Sequence, residues 1–406
     1  MLSPDASVGQ LFCELAAIPS PSGHERAVGE AIRAWLAAAG VESSFDEAGA
    51  RNDSDAGNLV ARISGAPGAP ALLFIAHTDT VESGSVAVRP MIDPAGVIRS
   101  AGDTILGADN KSAVAAVMRT LAWTLANTDP ATRPTILAAF TCREEAGRMG
   151  VSLLDPGLVR EVDCAFSVDG SSPIGTVITR ALGQQVFSVM IHGRAAHAAA
   201  DPGAGVSAIE VAAEAISAMG LGRLADGGSA SIAAIAGGAV VDRLAGTAGG
   251  RDAVWAAIDG TPTNSVPDIA MLRGEVRGYS AEAIAQSRAA LERAVADACA
   301  RRGARYEWHD RESAVPPFPG APDSRALALA RAACARVEGV RFAVAEAHAT
   351  LEANYLCAAT DVVALSSGGR DAHQFTESIE RAELERLEGL LCAIVQEAAS
   401  VAGERR

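Results

Sequence analysis

Imidazoles and carboxylates recur where short apolar runs of this chain end. His77-Thr78-Asp79 follows the run 71–76, and Glu144-Glu145 comes shortly after the run 135–140. Asp169 follows 164–168, and His373 follows 362–365 across Gly368-Gly369. Asp109 joins them after Gly107-Ala108, just before a helix predicted from Asn110, where a helix N-terminus favours a negative charge. Nitrogen and oxygen donors without cysteine suit Zn²⁺, Mn²⁺ or Co²⁺, in a harder site than a structural zinc. Two adjacent ions sharing one carboxylate need about this many donors, and such a pair polarises a carbonyl and activates water. Neighbouring glutamates cannot readily do one task from one chain direction. One of Glu144 and Glu145 therefore reads as a ligand and the other as a general base.

These residues need a scaffold that brings strand ends together. The four apolar runs fit strands buried on both faces, as in a parallel sheet covered by helices. In open α/β sheets, ligands bind beyond the carboxyl ends of the strands. Helical spacing is expected over 11–15, 27–39 with Gly40 as a stop, 110–126, 324–337 and 382–399. The middle of the chain reads differently: strand 184–192, helix 205–220, strands 231–236 and 269–277, helix 281–301 and strand 304–308. That β-α-β-β-α-β order predicts a ferredoxin-like sandwich inserted into the α/β domain. The expected boundaries are residues 1–180 and 309–406 for a metal-binding catalytic domain, and 181–308 for the insert.

The combined motifs resemble the peptidase T-like branch of the co-catalytic metallopeptidases, a superfamily that also holds aminoacylases and succinyl-diaminopimelate desuccinylase. The matching strings are His77-Thr78-Asp79-Thr80-Val81, Leu106-Gly107-Ala108-Asp109-Asn110-Lys111, Glu144-Glu145 and Val168-Asp169-Gly170. Ile191-His192-Gly193-Arg194-Ala195-Ala196-His197-Ala198, Thr263-Asn264-Ser265-Val266-Pro267-Asp268 and Gly274-Glu275-Val276-Arg277 resemble the family's lid motifs. The resemblance implies a phosphorylase/hydrolase-like catalytic domain with an inserted ferredoxin-like lid (dimerisation) domain. It implies His77 and Asp169 on one metal, Glu145 and His373 on the other, and Asp109 bridging them. Asp79 would orient His77, and Glu144 would be the general base. His197 would reach a partner subunit's active site and stabilise the oxyanion. Asn264 and Arg277 would grip the substrate, Arg277 by a forked contact to a carboxylate.

Two departures from the family pattern bear on specificity. Gly238 and Thr263 lie 263 − 238 = 25 positions apart where the family runs almost directly on, leaving an insertion at 239–262 with Arg243, Arg251 and Trp255. The family's Gly-rich Ser-Asp-Ala-Asn run, which helps hold the substrate carboxylate, stands here as Ala349-Thr350-Leu351-Glu352-Ala353-Asn354. Arg370, three residues before His373, is a further candidate substrate contact.

Composition narrows the partners. The 406 residues carry 34 Lys+Arg and 49 Asp+Glu, a net charge of −15 with neutral histidines. This argues against nucleic acid or an anionic membrane, both of which need a basic surface. The 49% apolar fraction excludes a mostly disordered chain. Seven scattered cysteines without a CxxC motif argue against a disulfide framework or zinc ribbon. The first residues, Met1-Leu2-Ser3-Pro4-Asp5, show no signal-peptide pattern, so a cytoplasmic location is expected. The expected protein is a hydrolase of C–N bonds in a small carboxylate-bearing or short-peptide substrate. It would use one or two divalent ions per subunit (Zn, Mn or Co) and form a homodimer or higher homo-oligomer through the lid. The alternatives are a hydrolytic deaminase of an aromatic amino acid-like compound, such as a nitroanthranilate, and a non-enzymatic binding protein on this scaffold.

Overall fold

The structure, a computed structural model, describes residues 2–81, 86–241, 251–311, 314–321 and 323–404. The chain forms two compact units. One comprises Met1–Ala181, Gly320–Ala347 and Leu351–Arg406, and the other Leu182–Pro319 with His348–Thr350.

The first unit is built on an eight-stranded mixed sheet. Across it run Glu42–Phe45, Leu59–Ile63, Thr135–Thr141, Ala71–His77, Cys164–Val168, Asp361–Leu365, Thr176–Ala181 and Ala343–Ala347. The middle four strands are parallel, with His77 opposite Thr141, Leu72 opposite Cys164 and Leu365 opposite Val168. Both faces of these four are covered, which is why they read as unbroken apolar runs instead of alternating ones. Their carboxyl ends align on one edge, and the polar residues that follow gather there. Leu11, Phe12 and Leu15 of the helix Val8–Ala16 pack in one core with Val114, Val117 and Leu121 of Ala108–Asn127 and Leu387, Leu391 and Ile394 of Arg381–Glu404. A capping box opens Val8–Ala16, the Ser7 hydroxyl accepting from Gln10 N–H while the Gln10 side chain returns to Ser7 N–H.

The second unit is the ferredoxin-like sandwich. Gly183–His192, Ala208–Ala218, Ser229–Gly237, Ile269–Gly278, Ala281–Arg302 and Arg305–Asp310 follow in β-α-β-β-α-β order. The antiparallel sheet runs Ser229–Gly237, Ile269–Gly278, Gly183–His192, Arg305–Asp310, with the short Gly222–Arg223 beside Ser229–Gly237. Ser207 and Ser280 cap its helices through their hydroxyls. Within the insertion, Arg251–Asp259 is helical and Trp255 is 62% exposed. Arg243 lies outside the described residues, as does the side chain of Arg251.

Several strands give little sequence signal. Glu42–Phe45 and Ala343–Ala347 are edge strands that stay half-exposed, and Leu59–Ile63 alternates. A separate three-stranded sheet joins Ser378–Glu380, Val97–Ser100 and Pro90–Ile92. Among the described residues, no helix is long and apolar enough to cross a membrane.

Candidate metal centre

His77 ends its strand with the ring fully buried. Its Nδ1 lies 3.0 Å from the Asp79 carbonyl oxygen and 3.5 Å from Asp79 Oδ1, while Nε2 lies 3.0 Å from Asp109 Oδ1. A proton on Nδ1 held by Asp79 leaves Nε2 to act as the donor atom. Asp79 itself accepts from Ser22 Oγ at 2.6 Å and from the backbone N–H groups of Glu144 and Glu145 at 2.9 and 3.1 Å. One carboxylate therefore orients the histidine and fixes the start of the two-glutamate segment.

That fixed segment sends its two side chains apart. Glu145 Oε1 lies 2.8 Å from His373 Nε2, and Glu144 Oε1 accepts from Arg148 Nε at 3.0 Å. Asp109 stands between the histidines, its Oδ2 3.5 Å from His373 Nε2. It is reached through Gly107, whose φ of +76° lies in the left-handed region that favours glycine; a Cβ there would stand 3.1 Å from Thr80 Cγ2. Asp109 and Asn110 are non-helical, and the regular helix starts after them. Asn110 Nδ2 donates to the Val168 carbonyl at 2.7 Å, tying this turn to the strand that precedes Asp169. Single donor atoms of His77, Asp109 and Glu145 all lie within 4.8 Å of one another.

The electrostatics follow from crowding acids in a poorly solvated site. Burial pushes Glu144 and Glu145 each up to about 7, with His77 opposing. Burial, reinforced by the Asp109 charge, pushes Asp169 up to about 6. For Asp109, hydrogen bonds from His373 and His77 outweigh burial and hold the carboxyl well below its usual range. The bond to Asp109 raises His373 to about 9, and bonds to Asp109 and Asp79 raise His77 well above 6.5 against its burial. The donor set fits a small divalent cation. His77, His373, Asp109 and Glu145 supply hard donors, and their imidazole–carboxylate distances of 2.8–3.5 Å match the spacing of neighbouring ligands around such an ion, while Asp169 follows the neighbouring strand Cys164–Val168.

The remaining candidates lie elsewhere. In the second unit, His197 Nδ1 accepts from the backbone of Ala199 and Ala200, and His197 bridges to Ser265, beside Asn264, whose carbonyl accepts from Ala198 N–H at 2.9 Å. His197 and Asn264 are thus neighbours and exposed. Arg277 pairs with Glu275 through Nε at 2.8 Å and Nη2 at 3.3 Å. In the first unit, Arg370 is exposed and pairs with Glu380 at 2.8 Å.

Sequence reasoning missed three residues that shape the site. Ser22 and Glu377 sit alone in polar loops, with no pattern to mark them. Arg148 stands four residues after Glu144, a spacing that could have flagged it. Glu352 stands out in the sequence only as a departure from the family pattern. It is 0% exposed, Oε1 accepts from Thr141 Oγ1 at 2.6 Å, and Oε2 has no hydrogen-bond partner among the described residues. Burial pushes it up to about 8 from an ordinary 4.5. In metal-free protein the neutral acid therefore contributes stability that is complete below about pH 4.5 and is lost as the pH rises to about 8. Glu352→Gln should melt close to wild type near pH 5 and at a higher temperature above about pH 8. Parallel melting curves across the whole range would contradict this.

The α/β unit, interrupted by a ferredoxin-like one, thus gathers His77, Asp109, Glu145 and His373. The model of peptidase family M20/M25/M40 matches residues 73–397, and the chain belongs to that family. It is a metal-dependent hydrolase acting on C–N bonds of peptides or amides. Aminopeptidase PepT of Bacillus cereus ATCC 10987 superimposes with a TM-score of 0.84 at 26% identity, over 98% of this chain and 99% of that one. A tripeptidase of Staphylococcus aureus gives 0.85 at 26% identity, over 98% and 100%. The uncharacterized protein YqjE of Bacillus subtilis is 27% identical over 389 residues, 96% of this chain and 97% of its own. The peptidase T-like resemblance read from the motifs agrees with these neighbours.

Proposed function

We propose that the chain is an exopeptidase or amidohydrolase acting on a small carboxylate-bearing amide. The observation that carries this reading is the parting of the paired glutamates. Asp79 holds both backbone N–H groups, yet Glu145 turns to His373 and Glu144 to Arg148. Glu145 is then a ligand together with His77, Asp109, Asp169 and His373, and Glu144 is the base. One or two divalent ions (Zn, Mn or Co) held by these residues would polarise the scissile carbonyl and make water more acidic. Glu144 takes the proton of the attacking water and returns it to the leaving nitrogen. Its raised proton affinity suits both transfers. Asn264 and Arg277 orient the substrate, with Arg370 a further contact once it leaves Glu380. His197 acts in trans, which makes the enzyme a homo-oligomer through the second unit. None of the seven cysteines is in a disulfide, which suits a reducing compartment and a cytoplasmic enzyme.

A second reading, hydrolytic release of ammonia from an aromatic amino acid-like compound, is favoured by Glu352. The segment 349–354, which departs from the family pattern, turns its acid inward onto Thr141. Two substrate panels separate the readings. Metal-reconstituted enzyme is given di- and tripeptides with N-acyl amino acids, and then amino-substituted aromatic acids, while amine and ammonia are followed. Cleavage in the first panel is the expected result. Silence there with ammonia from the second would replace the first reading with the second.

A further inference from the structure

We propose that Glu377 is the positioning residue that sets the Asp109 carboxylate between the two histidines. The inference rests on the reading of Asp109 and His373 as metal ligands. Glu377 is 3% exposed, and both its oxygens are used: Oε2 accepts from Gly107 N–H at 2.7 Å and Oε1 from Asp109 N–H at 2.9 Å. These donors lie 270 and 268 residues away in sequence. They belong to a turn that cannot satisfy itself by helix bonding, because Gly107 is left-handed and Asp109 is non-helical.

The same loop carries His373. Backbone hydrogen bonds between Arg370 and Ser378, at 2.9 and 3.1 Å, close it. Inside it, Gln374 N–H donates to Asp371 O and Glu377 N–H to Gln374 O, while Asp371 and His373 take left-handed φ values of 54° and 66°. Asp109 is therefore gripped by one loop at two points. Glu377 holds its backbone, and His373 meets its carboxylate at 3.5 Å. The placement of the shared ligand and of one histidine become a single geometric variable. Only a carboxylate fills this role well, since two N–H donors need two acceptor oxygens. A glutamine offers one oxygen and sets its own NH₂ against the other donor.

The test is Co²⁺ titration of the metal-free full-length chain, followed by visible absorption, which reports ligand geometry. Wild type is compared with Glu377→Gln, Glu377→Ala and Glu377→Asp, and circular dichroism checks the fold of each. Gln and Ala should weaken Co²⁺ binding about 10–100-fold, as loss of a partner that orients a ligand does, and should alter the Co²⁺ spectrum. Asp keeps both oxygens one carbon further back and should recover part of the affinity, so the test stands even if the Gln variant does not fold. Wild-type affinity and spectrum in the variants, with only a lower melting temperature, would overturn the proposal. If wild type itself takes up no Co²⁺, the metal-ligand reading beneath it falls instead.

Discussion

Glu144→Gln should lower kcat by about 10²–10⁴-fold while the protein keeps its metal. Glu144 is almost fully buried, its backbone is locked by Asp79, and its carboxylate contacts Arg148. Glutamine preserves volume and can still accept from Arg148, but it cannot take a proton from water. Because the backbone contacts survive, Glu145 stays in place, and KM should change far less than kcat. Steady-state kinetics on the best amide substrate, with metal analysis of the same preparation, decide the matter. Turnover within a few-fold of wild type would remove Glu144 from the proton-transfer role.

Asp109→Asn should be at least as damaging, by a different route. The Asp109 oxygens face His77 at 3.0 Å and His373 at 3.5 Å, so one side chain serves both halves of the donor set. Asparagine keeps the shape, removes the negative charge and leaves a single acceptor oxygen. One half then loses its ligand outright and the other keeps only a neutral oxygen. Metal content should fall, and kcat/KM should drop by more than about 10²-fold, since loss of a merely orienting partner already costs 10–100-fold. Excess metal should restore little activity. Full occupancy and near-normal turnover in this variant would show that Asp109 is not shared.

The candidate centre is legible in sequence to the extent that it follows sheet topology. His77, Asp79 and Asp169 sit next to strands so buried that their apolar runs are continuous, and parallel pairing forces those ends onto one edge. Asp109 was legible from the glycine before it and the helix after it. Residues whose roles depend on a loop's path were not. Glu377 reaches Gly107 and Asp109 across most of the chain, and Ser22 reaches Asp79 from a polar turn. Arg370 is a candidate by its nearness to His373, and the backbone bridge to Ser378 sets it beside Glu380. The fold shows the same division. Fully buried strands and amphipathic helices announced themselves, whereas half-exposed edge strands such as Ala343–Ala347 are defined by the neighbour they pair with.

The most direct test of these roles is metal content and turnover of Glu144→Ala and Glu145→Ala, purified and reconstituted side by side. The residues are adjacent and share one backbone clamp, so general damage to the segment would affect both alike. The assignment of Glu145 as ligand and Glu144 as base requires that Glu145→Ala loses metal and turnover together, while Glu144→Ala keeps its metal and loses turnover alone. Metal loss in Glu144→Ala with retention in Glu145→Ala, or sustained turnover in Glu144→Ala, would contradict it.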